Sequence, residues 1–343
     1  MNPMNPIICL KKKFVADIAA GDSIEEVFVL AEKNSALRRD GKPFLTVVLA
    51  DKSGQIKGVV WDNVEMALCA AAGDFVQVHA TANEYRGALQ LVVRSLTAVP
   101  AASIIPADYL PVTTRDVELM FNRLRALSET ITAPYLKALL GAFWNDAELV
   151  QQFKCAPAAK TMHHAYVGGL LEHTLSMALL VDKIGGHYSG VDRDMLLVGA
   201  VLHDIGKVRE LSYTHRIDYT DEGRLLSHIV IGVEMVDAKI RTIEGFPQNL
   251  AAMVKHMIIS HHGVREFGSP EPPKTIEAVL LNYIDEIDAR VNAIREFIAA
   301  EQTGSPWTSY HRLLERHFYK GEAAKKSAAP DESNAQRGTR NAE

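Results

Sequence analysis

Residues 201–207 read VLHDIGK: an apolar run, then His203 and Asp204 side by side, then Gly206 and Lys207. An imidazole and a carboxylate at the end of an apolar segment must be paired, exposed or bound to a ligand, because burying them bare costs free energy. Neighbouring residues on a helix point about 100° apart. One member of the dyad can therefore hold a ligand while the other reaches across it. What they hold depends on what the rest of the chain brings to meet them.

Ten of the 13 histidines lie between His163 and His262, where even spacing gives about four. A single helical histidine such as His173, in GGLLEHTLSMA, is on its own more often a satisfied core residue than a ligand. Here the same kind of place recurs: His203-Asp204 in LHDIGK, His228 in LLSHIVIG, His261-His262 in ISHHG and Asp285 in LNYIDEIDA. Neutral imidazole suits borderline transition metals, and a carboxylate can bridge two ions and lower their repulsion. The pattern predicts a divalent metal site, binuclear, with Asp204 at its hinge and its other ligands on separate helices.

Working outward, the helical period holds from TTRDVELMFNRLRALSETI (113–131), with its Thr/Asp cap, through PYLKALLGAFW and MHHAYVGGLLEHTLSMALLVDKI to TIEAVLLNYIDEIDARVNAIREFI. This predicts an all-α domain over 113–320. Residues 101–112, overlapping the Pro- and Ala-rich VPAASIIPADYLP, read as a linker, and 321–343 as a disordered tail poor in apolar residues. Before the linker, residues 11–100 read as β structure. PFLTVVLAD (43–51) and QIKGVVWD (55–62) alternate across a KSG turn, and 73–99 supplies two strands across a turn near Arg86-Gly87. With earlier strands near Lys13–Ile18 and Glu26–Glu32 and a helical 63–72, the economical fold is a five-stranded OB-like β-barrel. The fold class is thus multidomain, a β-barrel followed by an all-helical domain.

The remaining composition is that of an ordinary globular chain, 48% hydrophobic and 23% charged. Cys9, Cys69 and Cys155 form no CxxC pair, which fits a reducing, cytoplasmic setting. No apolar run approaches the ~18 residues of a membrane helix, so no membrane partner is expected. A net charge of −5 confines any polyanion contact to a local surface. In the first 100 residues, 11 Lys and Arg balance 11 Asp and Glu. On an OB barrel, aromatics stack bases between basic side chains. Trp61, Tyr85, Arg86 and Lys57 are the candidates, with Lys52 and Arg94 for phosphates and Phe44 read as barrel core.

The series H…HD…H…HH…D on consecutive helices resembles the HD superfamily of metal-dependent phosphohydrolases. Together with HHAYVGGLLEHTLSM, ISHHG and the barrel in front, it resembles the YhaM-type bacterial 3'-to-5' exoribonucleases over about residues 11 to 300. The resemblance implies a core of His173, His203, Asp204 and Asp285, with His228 and histidines of KHMIISHH around a second ion bridged by Asp204. On an ideal helix His256 and His261 stand about 140° apart. They are nevertheless the favoured pair, on the expectation of a helix break near His262-Gly263, with His262 supporting from behind or touching substrate. Lys207 is read as neutralising a phosphate oxygen, alongside Asp204 as a catalytic residue. His163 and His164 either line the substrate groove or open a helix, with His164, like His262, taken to support a ligand or touch substrate. Glu172 faces solvent or supports a ligand, and Asp288 is read as an exposed charge.

Two departures stand out: Ser227 where Gly is expected before His228, and no GYP element after ISHHG. The implied activity is hydrolysis of single-stranded RNA from its 3' end to nucleoside 5'-monophosphates. Single-stranded DNA and a homo-oligomeric state are left open. Manganese is the expected metal, with iron, cobalt or magnesium as alternatives. Two other readings are a phosphohydrolase of a small nucleotide and a non-catalytic single-strand-binding protein.

Overall fold

The computed structural model describes residues 11–38, 40–62, 64–85, 87–100, 103–160, 164–213, 216–301 and 304–321. Arg86, His163 and the tail from 322, all assigned roles above, lie outside the described residues. Among the described residues no helix is long and apolar enough to cross a membrane.

Five strands, β1 (Ser23–Leu37), β2 (Pro43–Asp51), β3 (Gly54–Val60), β4 (Phe75–Tyr85) and β5 (Ala88–Val99), close a barrel in the order β1-β2-β3-β5-β4. A short helix, α1 (Val64–Leu68), follows β3. All pairs are antiparallel except β3 with β5, which run parallel. This is the connectivity of an OB-fold. The long β1 serves two neighbours: Ser23–Val29 pair with β4, and Val29–Leu37 pair with β2 past an irregularity between Leu30 and Glu32. Alternation puts Phe28, Leu30, Leu45, Leu49, Val76 and Leu91 inside. The strand expected near Lys13–Ile18 is instead a single 3₁₀ turn, Val15–Asp17. The Asp51 carboxylate accepts from Val15 N–H at 2.9 Å and holds that segment against the barrel.

The segment after β5 is pinned to the barrel. Ile104 and Tyr109 share a small core with Val27, Val29 and Phe75, and the Tyr109 hydroxyl donates to Val27 O at 3.3 Å. Helices α2 (Val117–Glu129), α3 (Pro134–Trp144), α4 (Ala147–Cys155), α5 (Gly169–Ile184), α6 (Arg193–Leu202), α7 (Lys207–Glu210), α8 (Asp221–Ile240), α9 (Gln248–Ser260) and α10 (Ile276–Ala300) follow. Their apolar faces form one contiguous core around α6, which is buried from Met195 to Leu202. The domain is not purely helical. A two-stranded ribbon, β6 (Leu211–Ser212) with β7 (Asp218–Tyr219), separates α7 from α8. Residues 164–168, within a stretch read above as helical, are not: from His164 to Gly168 the chain is irregular and turns. Beyond α10, residues 304–321 carry isolated bridges rather than a helix.

Candidate metal centre

Helix α6 hands over to a tight turn at the dyad. His203 follows its last residue, and its Nδ1 donates to Ala200 O at 3.0 Å. The turn Asp204–Gly206 leads into α7. A Cβ on Gly206 would lie 2.0 Å from His228 O and 2.7 Å from Gly232 N, so α8 crosses this turn backbone to backbone. That close crossing carries His228 to within 3.5 Å of Asp204.

Ser227 breaks α8, with φ 60° and ψ 159°. This backbone region is essentially reserved for glycine, which is why glycine is the expected residue before His228. The break turns the His228 backbone N–H out of the helical ladder. The buried Glu210 carboxylate accepts from it at 2.8 Å and from the same residue's Nδ1 at 2.9 Å.

The end of α9 decides which of its histidines face inward. His261 is the residue after the helix, its Nδ1 donating to Ile258 O at 2.6 Å. Gly263, at φ +80°, turns the chain. His262 then swings beside His261, with ring centroids 4.2 Å apart, and its Nδ1 donates to Phe267 O at 2.9 Å. His256, the favoured ligand above, does not join them. It sits one and a half turns back on α9, and its Nε2 accepts from Lys274 N–H at 2.9 Å. The structure therefore brings His262, and not His256, beside His261. The helix stops early enough for consecutive residues to converge, and His256 keeps its helical direction away from them.

From α5, His173 donates through Nδ1 to Asp288 Oδ2 at 2.8 Å, while its Nε2 lies 3.2 Å from His203 Nε2 and 3.4 Å from Asp285 Oδ1. In all five rings Nδ1 meets an oxygen that can only accept, which leaves the Nε2 lone pairs aimed at the centre. Asp204 lies between two groups. Its Oδ2 is 3.3 Å from His203 Nε2 and 3.6 Å from His173 Nε2; its Oδ1 is 3.5 Å from His228 Nε2 and 3.7 Å from His261 Nε2. The sets His173/His203/Asp204 and His228/His261/His262 each hold their ligand atoms within 4.8 Å of one another. Asp204 Oδ1, His228 Nε2 and His261 Nε2 are buried without a hydrogen-bond partner. Buried acceptors facing one another cost free energy unless a cation lies among them. This donor set of imidazole nitrogens and carboxylate oxygens fits divalent transition metals.

The electrostatics agree. Burial, and then the neighbouring His262 and His203, push the His261 pKa well below its usual value, so the ring is neutral. Burial opposes charge on His173 too, but hydrogen bonds to Asp285 and Asp288 prevail and lift its pKa to about 10. A proton and a divalent cation are alternatives at such a nitrogen. Asp204 would be neutralised by burial were it not for Lys207 and His203, which hold it well below the carboxylate range. Lys207 Nζ donates to Asp204 Oδ2 at 2.6 Å, so this lysine sits inside the site rather than capping a helix end.

Two polar groups around the centre, Asp288 and Glu210, escape the sequence reading. Asp288 is buried rather than exposed. It accepts from His173, makes a short hydrogen bond with Ser176 Oγ, and lies 3.5 Å from His164 Nε2. Its spacing of three residues from Asp285 was the available signal, since that puts both on one side of a helix. Glu210 carried no signal beyond lying six residues after Asp204. His164, buried at φ 58°, bonds through Nδ1 with Tyr166 Oη at 2.7 Å and stands behind His173 rather than opening a helix. Glu172 points elsewhere, to Thr113 Oγ1 at 2.6 Å and Arg115 at 3.1 Å.

On the barrel, Trp61 is exposed and stacks on Phe44 at 4.9 Å with 24° between planes, and the Arg38 guanidinium lies 4.9 Å from the Trp61 ring. Phe44 is therefore half of a surface stack rather than barrel core. Tyr85, at the end of β4, is 58% exposed, and Lys57 points outward from β3.

Family models described as an HD domain and as an OB-fold nucleic acid binding domain match residues 170–290 and 29–99, and one described as a putative helicase matches 105–188. Among solved structures, the second OB-fold domain of replication protein A from Methanococcus maripaludis is 18% identical. It aligns over 26% of this chain and 95% of its own, with a TM-score of 0.22. The mitochondrial single-stranded DNA binding protein Rim1 of S. cerevisiae is 15% identical over 24% and 96%, with a TM-score of 0.21. Neither likeness is close enough to speak to function. The 3'-5' exoribonuclease YhaM of Geobacillus sp. (strain WCH70) is 32% identical over 310 residues, 90% of this chain and 95% of that protein. With an HD domain behind an OB-fold, and at that identity and coverage, this chain belongs to the family of the 3'-5' exoribonuclease YhaM.

Proposed function

We propose that the protein is a metal-dependent exoribonuclease that shortens single-stranded RNA from its 3' end, releasing nucleoside 5'-monophosphates. The observation that carries this reading is the convergence of two histidine groups on the two oxygens of one buried aspartate. His173, His203, Asp204 and Asp285 would hold one divalent ion, and Asp204, His228, His261 and His262 the other, with manganese as the expected metal. Such ions supply Lewis acidity: they make a water nucleophilic near neutral pH and offset the charge that develops on the phosphate.

The chain's own groups do the rest. Asp288 and Glu210 fix the rings of His173 and His228 through Nδ1, which presents Nε2 as the ligand atom and raises its basicity. Lys207 keeps Asp204 ionised and is close enough to take a nonbridging phosphate oxygen as a point charge. Water adds to phosphorus as the bond to the 3' oxygen breaks, and the shortened strand leaves with a new 3' hydroxyl. The Phe44–Trp61–Arg38 stack, with Tyr85 and Lys57, supports the barrel as the element that grips the strand. A phosphohydrolase of mononucleotides has no use for such a platform.

The deciding experiment is a time course on 5'-labelled single-stranded RNA and matched DNA, with and without Mn²⁺, beside the double variant His203→Ala/Asp204→Ala. A metal-dependent ladder that recedes from the 3' end and vanishes in the variant is expected. Intact strands in every lane from metal-loaded protein would turn the assignment to a small-nucleotide substrate.

A further inference from the structure

Between the barrel and the helical domain lies a cleft of about 660 Å³, walled by Lys52 and Gln55 on the barrel side and by Lys160, Arg216 and Ile217 on the other. The barrel wall also brings Glu32 and Asp51, but Asp51 is engaged by Lys11 at 3.3 Å and by the Val15 N–H. On the helical side a single carboxylate organises three cations. Asp218, at the start of β7, lies 2.7 Å from Lys160, 2.9 Å from Arg216 and 3.3 Å from Arg224. The Arg216 and Arg224 side chains are 69% and 60% exposed, whereas Asp218 is 14% exposed. The carboxylate is thus covered and the positive groups face outward. Lys160 Nζ also stands 5.6 Å from the ring of Tyr219, which is itself exposed.

Two members of this group lie near metal-centre residues along the chain. Lys160 precedes His164 by four residues, and Arg224 precedes His228 by four on α8. In a protein of net charge −5, three cations around one acid beside an exposed aromatic are a marked local departure. They are also the elements with which proteins follow a single strand: charges for the backbone and a ring for a base. We propose that Lys160, Arg216 and Arg224, spread around Asp218, hold the phosphate backbone of single-stranded RNA between the barrel and the metal centre, with Tyr219 as a stacking surface. The assignment rests on the exoribonuclease reading for its ligand, yet it makes a separate prediction about binding.

The test uses full-length protein carrying Lys160→Gln, Arg216→Gln and Arg224→Gln together, which keeps much of each side-chain stem. Affinity for a fluorescein-labelled 20-nucleotide oligo(A) is measured in EDTA across a salt series. Cleavage of the 20-mer and of a dinucleotide is then compared with Mn²⁺ present. Binding is expected to weaken about tenfold. The slope of log affinity against log salt should flatten by about 2, at ~0.7 for each phosphate left without its cation. Dinucleotide cleavage should stay within twofold of wild type, which also reports that the variant is folded. If the variant loses its fold, Arg216→Gln alone, on the exposed ribbon, is expected to flatten the slope by about 0.7. An unchanged affinity and slope in a folded variant, or a wild type that does not bind the oligomer, overturns the proposal. A wild type that binds but cuts neither substrate instead overturns the exoribonuclease reading and leaves the binding result to judge the cation track.

Discussion

Glu210 accepts two hydrogen bonds from one residue, His228, through the same oxygen: the backbone N–H at 2.8 Å and Nδ1 at 2.9 Å. One carboxylate thereby fixes both where α8 restarts after its break and which ring nitrogen is left for a metal. Burial opposes the charge on Glu210, but His228 holds its pKa below the usual glutamate value, so the acceptor stays ionised at neutral pH. Glu210→Gln should lower metal affinity at the His228 group by about 10- to 100-fold, the usual cost of losing an orienting carboxylate. Metal titration by calorimetry reads this directly, and an affinity equal to wild type would remove Glu210 from the centre's design.

The strain at Ser227 makes a prediction of opposite sign. A non-glycine residue in this backbone region costs about 1–3 kcal/mol, while glycine gives back roughly 0.5–1 kcal/mol through its freer unfolded chain. Ser227→Gly should therefore stabilise the fold by about 1 kcal/mol, read as a higher denaturation midpoint at unchanged m-value. A destabilised variant would mean that the serine side chain contributes more than its backbone costs.

His256 and His262 can be told apart by metal content. His262→Ala removes an inward-facing ring and should lower the metal retained per chain after dialysis. His256→Ala removes only the acceptor for Lys274 N–H and should leave metal content unchanged. Elemental analysis of the two purified variants distinguishes them, and the reverse order would reinstate His256 as the ligand.

On the barrel, Trp61→Ala should weaken binding of single-stranded RNA by about 1–3 kcal/mol, the range for loss of one base-stacking aromatic. Because Trp61 follows β3 at the surface, the melting temperature should barely move. Fluorescence anisotropy beside a thermal melt checks both halves, and equal binding would leave the Phe44–Trp61 pair a purely structural stack.

Much of this molecule is written in local pattern. Alternation in PFLTVVLAD and its neighbours suffices for a barrel because a strand's two faces differ by one residue. The helical period, the Asp204 dyad and the crowding of histidines locate the centre because metal chemistry restricts residue types more than it restricts their neighbours. What sequence could not decide is which nitrogens and oxygens converge. Asp288 and an exposed acid have the same helical signature; only the packing of α10 makes it the acceptor for His173. His262 rather than His256 lies beside His261 because α9 ends at Ser260, and a helix end is set by tertiary hydrogen bonds such as that from Asn282 to His261 O at 2.7 Å. The serine before His228 looks like a mild substitution in one dimension. In three it occupies a glycine conformation, imposed because α8 must cross the Gly206 turn and still reach Glu210. Residue types and order are properties of the chain, whereas the direction of a lone pair belongs to the packed fold.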